Sequence, residues 1–446
     1  VQLDDDLCFR ATRSRDPRFD GRFFTAVITT GIYCRPICPA KEARREHLRF
    51  FAYAAAAERA GFRPCLRCRP EVAPWTPAWN GTSATVTRAL RLIGEGALDD
   101  GDVDALAARL GVTSRQVRRL FDEHVGAPPV AVAQARRVHF ARTLLVETSL
   151  SITDIAFAAG FSSLRRFNTA MRSAYRVAPR AMRRGRADAS DAISLRLPYR
   201  APYDWQGLIE FLGRRAIPGV EAVVDGEYRR TIVTDDIAGV LRVRHDDGAL
   251  VVSLPRAFTR HLKTIVDRVR RMFDLFADPH AIRSHLERDK TLRPLIQRWP
   301  GTRVPGAWDP FELAVRAIVG QQVSVAGATT IAGCIAERYG TRIEGGIVFP
   351  DAARLANARV SGMPRARAAT IRAVARANGA LDGVRGIGPW TLSYVAMRSG
   401  DPDAFPHGDL ALRKAADCND RELLRRAEAW RPWRAYAALL LWRSLS

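Results

Sequence analysis

Residues 29–38, TTGIYCRPIC, and residues 61–68, GFRPCLRC, carry two close pairs of cysteines: Cys34 and Cys38 with three residues between them, Cys65 and Cys68 with two. Another 26 residues separate the pairs. This count and spacing fit a closed, tetrahedral zinc site with four thiolate ligands. A disulfide framework is the competing reading, but 7 cysteines in 446 residues, with no secretory leader ahead of them, suit a reducing cytosol better. Four thiolates on one divalent zinc leave the cluster about doubly negative, and the metal keeps each sulfur deprotonated and nucleophilic at neutral pH. Arg35, Arg63, Arg67 and Arg69 crowd the same residues. Spacing alone makes the four sulfurs equivalent and leaves a purely structural clasp open beside a reactive centre.

Working outward, the length allows three or four domains, and 47% hydrophobic residues can fill their cores. A net charge of +23 and a pI near 10.8 predict a polyanionic partner, nucleic acid before anionic membrane. The excess is almost wholly arginine, since Lys41, Lys263, Lys290 and Lys414 are the only lysines. Arginine forks onto phosphates and base edges. No run of 18 apolar residues occurs, so a membrane-spanning role is not expected.

Around the cysteines, FFTAVITTGIYCRPIC (23–38) and AGFRPCLRCRPE (60–71) resemble the N-terminal module of the bacterial adaptive-response (Ada-type) proteins. The resemblance implies one zinc, structural and activating, on Cys34, Cys38, Cys65 and Cys68. It also implies a single-turnover methyl transfer from a methylated DNA phosphate to Cys34. The module is expected to be a small zinc α/β fold over residues 1–76, closed by the proline-rich linker PEVAPWTPAW (70–79).

From residue 82 to 184 the pattern turns helical. VDALAARLGVTSRQVRRLFDEHVG (103–126) sets Val103, Leu106, Leu110, Val117 and Leu120 at helical spacing, with Gly111 at a turn and Ser114 poised as an N-cap. SITDIAFAAGFSSLRRFNTAMRSAYRVAP (151–179) repeats the design with Gly160 at the turn and Ser162 or Ser163 capping, and a long helix near Ala131 to Leu145 joins the two. A single such hairpin is a weak signal, because any helical pair in a core looks like it. The doubled form resembles the all-α AraC-type DNA-binding domain, whose second helices enter two major grooves. Its groove-facing residues are then Ser114, Arg115, Gln116, Arg118 and Arg119 in the first unit, and Ser163, Leu164, Arg165, Arg166 and Asn168 in the second.

After a second linker, RRGRADASDA (183–192), alternation at Ile193, Leu195 and Leu197, and strands at EYRRTIVT, AGVLRVRHDD and GALVVSL, predict an α+β domain with a small antiparallel sheet over residues 193–300. Its wording, including Pro198, Tyr199, Trp205 and AIPGVE, resembles the N-terminal domain of AlkA-type 3-methyladenine DNA glycosylases. Residues 301–446 read as helices with short breaks. In GVRGIGPWTLSYVAMRSG (383–400), Pro389 stands at a first helical position, so Gly386, Ile387 and Gly388 can present backbone N–H groups to a phosphate. With Asp409 following, this resembles the all-α helix-hairpin-helix glycosylases, and the resemblance spans roughly Ser194 to Trp442. It implies Asp409 as the catalytic carboxylate, Trp390, Tyr394 and Trp442 as the aromatic pocket, and Gln322 where some relatives insert an apolar wedge. The bland readings are an N-cap for Asp409 and core packing for the aromatics. Arg385 stands where the family often has proline, and residues 373–384 look short for a helix plus a connection.

The expected whole is multidomain and mainly α: a methyl-responsive transcription activator fused to a glycosylase that hydrolyses the N-glycosidic bond of alkylated purines such as 3-methyladenine. The alternative is a regulator only, with a silent glycosylase-fold half. A restriction-type or structural chromatin protein would fit the charge but explains neither the cysteines nor Asp409. No lysine lies between Gly386 and Asp409, and Trp390 occupies the position of the Schiff-base lysine of bifunctional relatives, so a monofunctional enzyme without lyase activity is expected. Guanine O6-methyl repair is not expected, since no Pro-Cys-His-Arg stretch occurs. The remaining cysteines, Cys8, Cys334 and Cys418, cannot build an iron–sulfur cluster. No organic cofactor is expected. Double-stranded DNA, both promoter and alkylated, is the expected partner, with RNA polymerase as a second and no membrane. The chain is expected to be a monomer in the bacterial cytoplasm, associated with the nucleoid.

Overall fold

The computed structural model describes residues 3–41, 43–73, 84–94, 96–99, 101–183, 191–235 and 237–445. Most of both expected linkers, and the boundaries at 76, 82 and 184, fall outside them. The chain forms two compact units, one of residues 1–200 with 256–267, the other of residues 201–255 with 268–446.

The first unit begins with α1 (Asp5–Arg13), N-capped by Asp4, whose side chain accepts from the N–H groups of Asp6 and Leu7. Strands β1 (Phe24–Val27), β2 (Ile32–Cys34) and β3 (Leu48–Phe51), helix α2 (Ala54–Arg59) and strand β4 (Arg63–Pro64) follow, and the sheet order is β3-β1-β2-β4. Alternation puts Phe24, Ala26 and Tyr33 into one small core with Ala57 and Phe62. β1 and β2 are antiparallel, turned at Gly31 with φ +64°, whereas β2 and β4 are parallel with Tyr33 opposite Pro64.

The helical part comprises α3 (Ala84–Gly94), α4 (Val103–Leu110), α5 (Ser114–His124), α6 (Pro129–Glu147), α7 (Ile152–Ala158), α8 (Leu164–Tyr175) and α9 (Pro179–Met182), followed by β5 (Ala192–Pro198). Pairs α4–α5 and α7–α8 are the two expected helix-turn-helix units, and α6 is the long helix between them. α5 buries Val117 and Phe121, and α8 buries Phe167, Met171 and Tyr175. Truncating a residue such as Phe121 to alanine is expected to cost about 3–5 kcal/mol. One detail is corrected: the N-cap of α5 is Thr113, whose hydroxyl accepts from Gln116 N, and Ser114 is the first helical residue. In the second unit Ser163 caps α8, accepting from Arg166 N.

In the second compact unit α10 (Trp205–Gly213) precedes four consecutive antiparallel strands, β6 (Glu221–Val224), β7 (Glu227–Thr234), β8 (Ile237–Asp246) and β9 (Ala249–Pro255). The helices that follow are α11 (Leu262–Met272), whose residues through Asp267 belong to the first unit, α12 (Pro279–Leu286), α13 (Leu292–Arg298), α14 (Pro310–Val319) and α15 (Val325–Tyr339). A short hairpin of β10 (Thr341–Ile343) and β11 (Gly346–Val348) interrupts the run of helices read from sequence. Three-residue strands carry too little alternation to register. Helices α16 (Ala352–Leu355), α17 (Arg365–Arg376), α18 (Pro389–Arg398), α19 (Leu410–Ala416), α20 (Asp420–Glu428) and α21 (Arg434–Arg443) complete the unit. The segment that looked short holds only the end of α17 and the turns after it, because that helix starts well upstream at Arg365. Among the described residues no helix is long and apolar enough to cross a membrane.

Candidate functional site

Parallel pairing of β2 with β4 brings the two cysteine pairs together. With Tyr33 opposite Pro64, the next residues, Cys34 and Cys65, leave their strands side by side, and Cys65 N donates to Tyr33 O at 3.0 Å. The ligand atoms of Cys34, Cys38, Cys65 and Cys68 all lie within 4.8 Å of one another. Zinc–sulfur bonds of about 2.3 Å in a tetrahedron put sulfurs about 3.8 Å apart, so the four residues fit that ion. Arg35 N also donates to Cys68 Sγ at 3.3 Å, the contact expected of a thiolate acceptor. Cys34 and Cys38 are half-buried and Cys65 and Cys68 buried.

The arginines beside the cluster divide into two kinds. Arg35 is ion-paired with Asp20, its Nε 2.8 Å from Oδ1, and Arg69, at φ +54°, pairs with Glu71 at 3.0 Å and Glu147 at 3.3 Å. Arg67 is exposed. Tyr33 donates to Glu58 at 2.8 Å, and His139 Nε2 of α6 lies 2.9 Å from the same carboxylate and 3.1 Å from Tyr33 Oη. Burial pulls the His139 pKa down, but the hydrogen bond and charge of Glu58 outweigh it and the net shift is upward. Asp20, Glu58 and His139 escaped sequence reading, since nothing local links them to a cysteine up to 105 residues away.

On α5, Arg115, Gln116, Arg118 and Arg119 are all exposed, opposite the buried Val117 and Phe121. On α8, Arg165 and Arg166 are exposed, Arg166 reaching Ser162 Oγ at 3.2 Å. Asn168 is half-buried and returns its amide to Leu164 O of its own helix at 3.0 Å. Both helices thus offer guanidinium groups to a groove, and Asn168 must give up an internal bond to join them.

In the second unit a cavity of about 830 Å³ is lined by Trp390, Tyr394 and Trp442 with Asp409 among them. Trp390 and Tyr394, one turn apart on α18, stack with centroids 5.2 Å apart and planes at 9°, and Trp442 of α21 tilts against Tyr394 at 6.2 Å. Asp409 is the N-cap of α19, its Oδ1 accepting from Leu412 N at 3.0 Å. The same carboxylate accepts from Trp390 Nε1 at 3.0 Å and Trp442 Nε1 at 3.1 Å. The bland and the functional readings of Asp409 therefore coexist: one residue caps a helix and is gripped by two pocket indoles. Sequence reading missed Phe211 and Trp299, which also line the cavity from distant segments.

The hairpin between α17 and α18 is pinned by Thr370, whose hydroxyl lies 3.0 Å from Arg385 O. Gly386 has φ +93°, and a Cβ there would sit 2.4 Å from Thr370 Oγ1, so only glycine fits. Of the three expected donors, Ile387 N is already committed to Val384 O at 3.1 Å, and its side chain packs into the core. Gly386 and Gly388 remain at the mouth of α18, together with the first-turn N–H groups of Trp390 and Thr391. Gln322 is exposed at φ +56° on the turn between α14 and α15, outside the cavity lining. Its neighbour Gln321 donates to Gly386 O at 3.0 Å and so ties that turn to the hairpin.

One unit carries a four-cysteine cluster with two helix-turn-helix pairs, the other an aromatic cleft with a glycine-rich hairpin at the start of α18. The class is a DNA-directed regulator joined to a base-removing fold. Sequence-family models match in the same order, the metal binding domain of Ada at residues 7–71, a helix-turn-helix domain at 106–185 and the AlkA N-terminal domain at 194–309. A Mycobacterium tuberculosis (strain CDC 1551 / Oshkosh) protein named probable bifunctional transcriptional activator/DNA repair enzyme AlkA is 42% identical over 99% of this chain and 97% of its own. DNA-3-methyladenine glycosylase 2 of Escherichia coli (strain K12) is 33% identical over 55% of this chain and 95% of its own. The solved 3-methyladenine DNA-glycosylase from Archaeoglobus fulgidus shares the fold, with a TM-score of 0.50 at 22% identity over 55% of this chain and 96% of that one. The chain belongs to the family of bifunctional transcriptional activator/DNA repair enzymes.

Proposed function

We propose that the second unit flips an alkylated purine nucleotide into the aromatic cavity and hydrolyses its N-glycosidic bond, with Asp409 as the catalytic carboxylate. A purine alkylated at N3 or N7 is cationic, so its glycosidic bond is already weak. The pocket has to hold the base against Trp390, Tyr394 and Trp442 and stabilise the positive charge that develops on the sugar. The C1′–N9 bond breaks with its electron pair going to the base. Water then adds to C1′ and releases a proton. The observation that carries this reading is the position of Asp409 inside the cavity, held by two indole N–H groups. Gly386 and Gly388 with the α18 N-terminus would hold a backbone phosphate beside the flipped nucleotide, and Gln322 would stand at the gap it leaves. Trp390 in place of a lysine supports hydrolysis without strand cleavage. The test is release of free base from DNA bearing 3-methyladenine. Wild-type protein should release it and Asp409→Asn should not, with no borohydride-trapped adduct for either.

The first unit we infer to be the sensor. Zinc, when bound to Cys34, Cys38, Cys65 and Cys68, holds the sulfurs as thiolates. The Cys34 sulfur attacks the methyl carbon of a methylated phosphate, the new S–C bond forms as the C–O bond breaks, and the phosphate leaves as a diester anion. The thiolate is not regenerated from the product thioether, so each chain acts once. The methylated module and the exposed arginines of α5 and α8 then bind promoter DNA more tightly, for recruitment of RNA polymerase by a monomer.

A further inference from the structure

Residues 194–200 and 256–267 fall within the stretch matched to the AlkA N-terminal domain, yet they pack inside the first unit, with the cysteine module and the helix-turn-helix pairs. Arg256 N donates to Asp191 O at 2.8 Å and joins the two segments beside the start of β5. Lys263 is ion-paired with Asp99, whose carboxylate also accepts from Arg137 Nε of α6 at 3.0 Å. Two further contacts lead to the cysteines. Arg200 is only 3% exposed, and its Nε donates to the backbone oxygen of Asp20 at 3.0 Å. Asp20 is 5% exposed, and its carboxylate holds Arg35. Arg35 directly follows Cys34; its backbone N–H donates to Cys68 Sγ and its Nη1 to Cys68 O at 3.2 Å. Arg196 N of β5 donates to Glu147 Oε2 at 3.2 Å, while Oε1 of the same carboxylate accepts from Arg69, the residue after Cys68. Resting on the reading that Cys34 accepts a methyl group, we propose that Arg200 and strand β5 are positioning elements of that acceptor. They act through Asp20 and Glu147 on the two arginines that adjoin the cluster, so the sensor is completed by the first strand of the repair portion.

The physical reason is that a long cationic side chain beside a thiolate keeps one place only if its far end is held, since ordering its rotamers costs entropy. Arg35 bridges the Cys34 and Cys68 segments, and the buried Asp20 carboxylate fixes its guanidinium. Asp20 itself closes a short helical turn at Pro17–Phe19, and the Arg200 bond to its carbonyl pins that turn from outside the module. Glu147, the last residue of α6, is held from two sides, by Arg69 beside the cluster and by the β5 backbone. Groups one contact removed from metal-binding residues set the orientation and basicity of those residues. A misplacement of about 1 Å, introduced away from the reacting atoms, can lower a rate on the order of 100-fold.

The experiment follows single-turnover methyl transfer from a duplex with one methylated phosphate to the full chain and to its Arg200→Met, Arg200→Lys and Asp20→Asn variants, and to the double variant of Arg200→Met with Asp20→Asn. The visible absorption of each chain loaded with cobalt in place of zinc reports the thiolate geometry without any transfer. Arg200→Met should slow transfer at least about fivefold and shift the cobalt–thiolate bands. Arg200→Lys, which keeps a donor for Asp20 O, should recover most of both. The double variant should be no slower than Asp20→Asn alone, since Arg200 acts through Asp20. Should Arg200→Met fail to fold, Glu147→Gln decides by the same two readings: its one acceptor oxygen cannot serve both Arg69 and Arg196 N, so transfer should slow and the bands shift. Unchanged transfer and spectrum in the variant that folds, or a double variant clearly slower than Asp20→Asn, overturns the proposal. If wild-type protein takes up no methyl group, the sensor reading falls and this inference with it. Wild-type uptake matched by Arg200→Met defeats the inference alone.

Discussion

Around the cysteine cluster Arg35 and Arg69 are committed to Asp20, Glu71 and Glu147, whereas in the aromatic cavity Arg215 and Arg398 meet only a phenol, backbone carbonyls and the face of Phe211. Both regions gather arginine, and the difference lies in what else is present. Beside the cysteines Arg35 and Arg69 both have carboxylate partners, so the charge left to vary is mainly that of the sulfurs. In the cavity no carboxylate among the described residues pairs with Arg215 or Arg398, and the two guanidiniums leave a positive field there. Partner choice for arginine therefore separates a region organised to change its charge from one organised to keep it.

The largest effect that would test this contrast is loss of a ligand. Cys38→Ser should remove the metal and unfold the cysteine module, since structural zinc contributes apparent binding energies of about 10–16 kcal/mol in zinc-finger peptides. Elemental analysis should fall from one zinc per chain to none, and amide exchange of β1 and β2 should become fast. Base excision should persist. Wild-type protein prepared without chelator and found free of metal would sink the assignment of the cluster.

Next comes Asp409→Asn, expected to lower excision about 100-fold or more. Asparagine offers one acceptor oxygen where the carboxylate has two. If that oxygen keeps Leu412 N and Trp442 Nε1, the amide nitrogen faces the Trp390 N–H, donor against donor. A loss of about 1–3 kcal/mol for a buried unmatched donor is the upper bound here, since Asp409 is half-exposed. Folding should survive with a lowered Tm. Parent-rate excision by the variant would favour the regulator-only alternative.

A smaller effect is the charge change at Cys34. Methylation removes one negative charge, and at about 8 Å from a phosphate with an effective dielectric near 20 that is worth on the order of 2 kcal/mol. Promoter affinity should rise roughly tenfold or more at low salt and less at high salt. Equal affinity for methylated and unmethylated protein would mean that the paired arginines already screen the cluster and that the contrast drawn above is wrong.

How much of this was legible follows from how local each feature is. The cysteine ligands, Gly386 and Pro389, and both recognition helices lie inside short segments whose spacing or turn chemistry is itself the signal. Asp409 was visible through its place after the hairpin, and as a cap through Gly408 before it. Phe211, Arg215 and Trp299 reach the cavity from elements 90 to 180 residues upstream of Trp390, and Asp20 and His139 reach the cysteine region in the same way. Their side chains obey only the period of their own helix or loop, so nothing in the string marks them as partners. The sign of the field in the cavity was hidden for the same reason: an arginine looks identical in sequence whether or not a carboxylate waits across the fold.

The smallest effect calibrates Asp409. Its cap bond to Leu412 N and its two indole bonds are superimposed, and Asp409→Ala loses all of them together. Thr113 offers a cap without the pocket: its hydroxyl accepts from Gln116 N at 3.2 Å, exposed, with no aromatic donor on it. Thr113→Ala should cost about 1 kcal/mol in chemical denaturation, within the range for such caps, while Ser114→Ala, one residue on and inside the helix, should cost a few tenths or nothing. The pair reports cap energy alone. Whatever Asp409→Ala loses in stability beyond the Thr113→Ala value belongs to the indole grip, while the loss of excision in Asp409→Asn, which keeps the cap, reports the charge. If Ser114→Ala proves the costlier of the two, the cap is misplaced by one residue and the calibration of Asp409 fails with it.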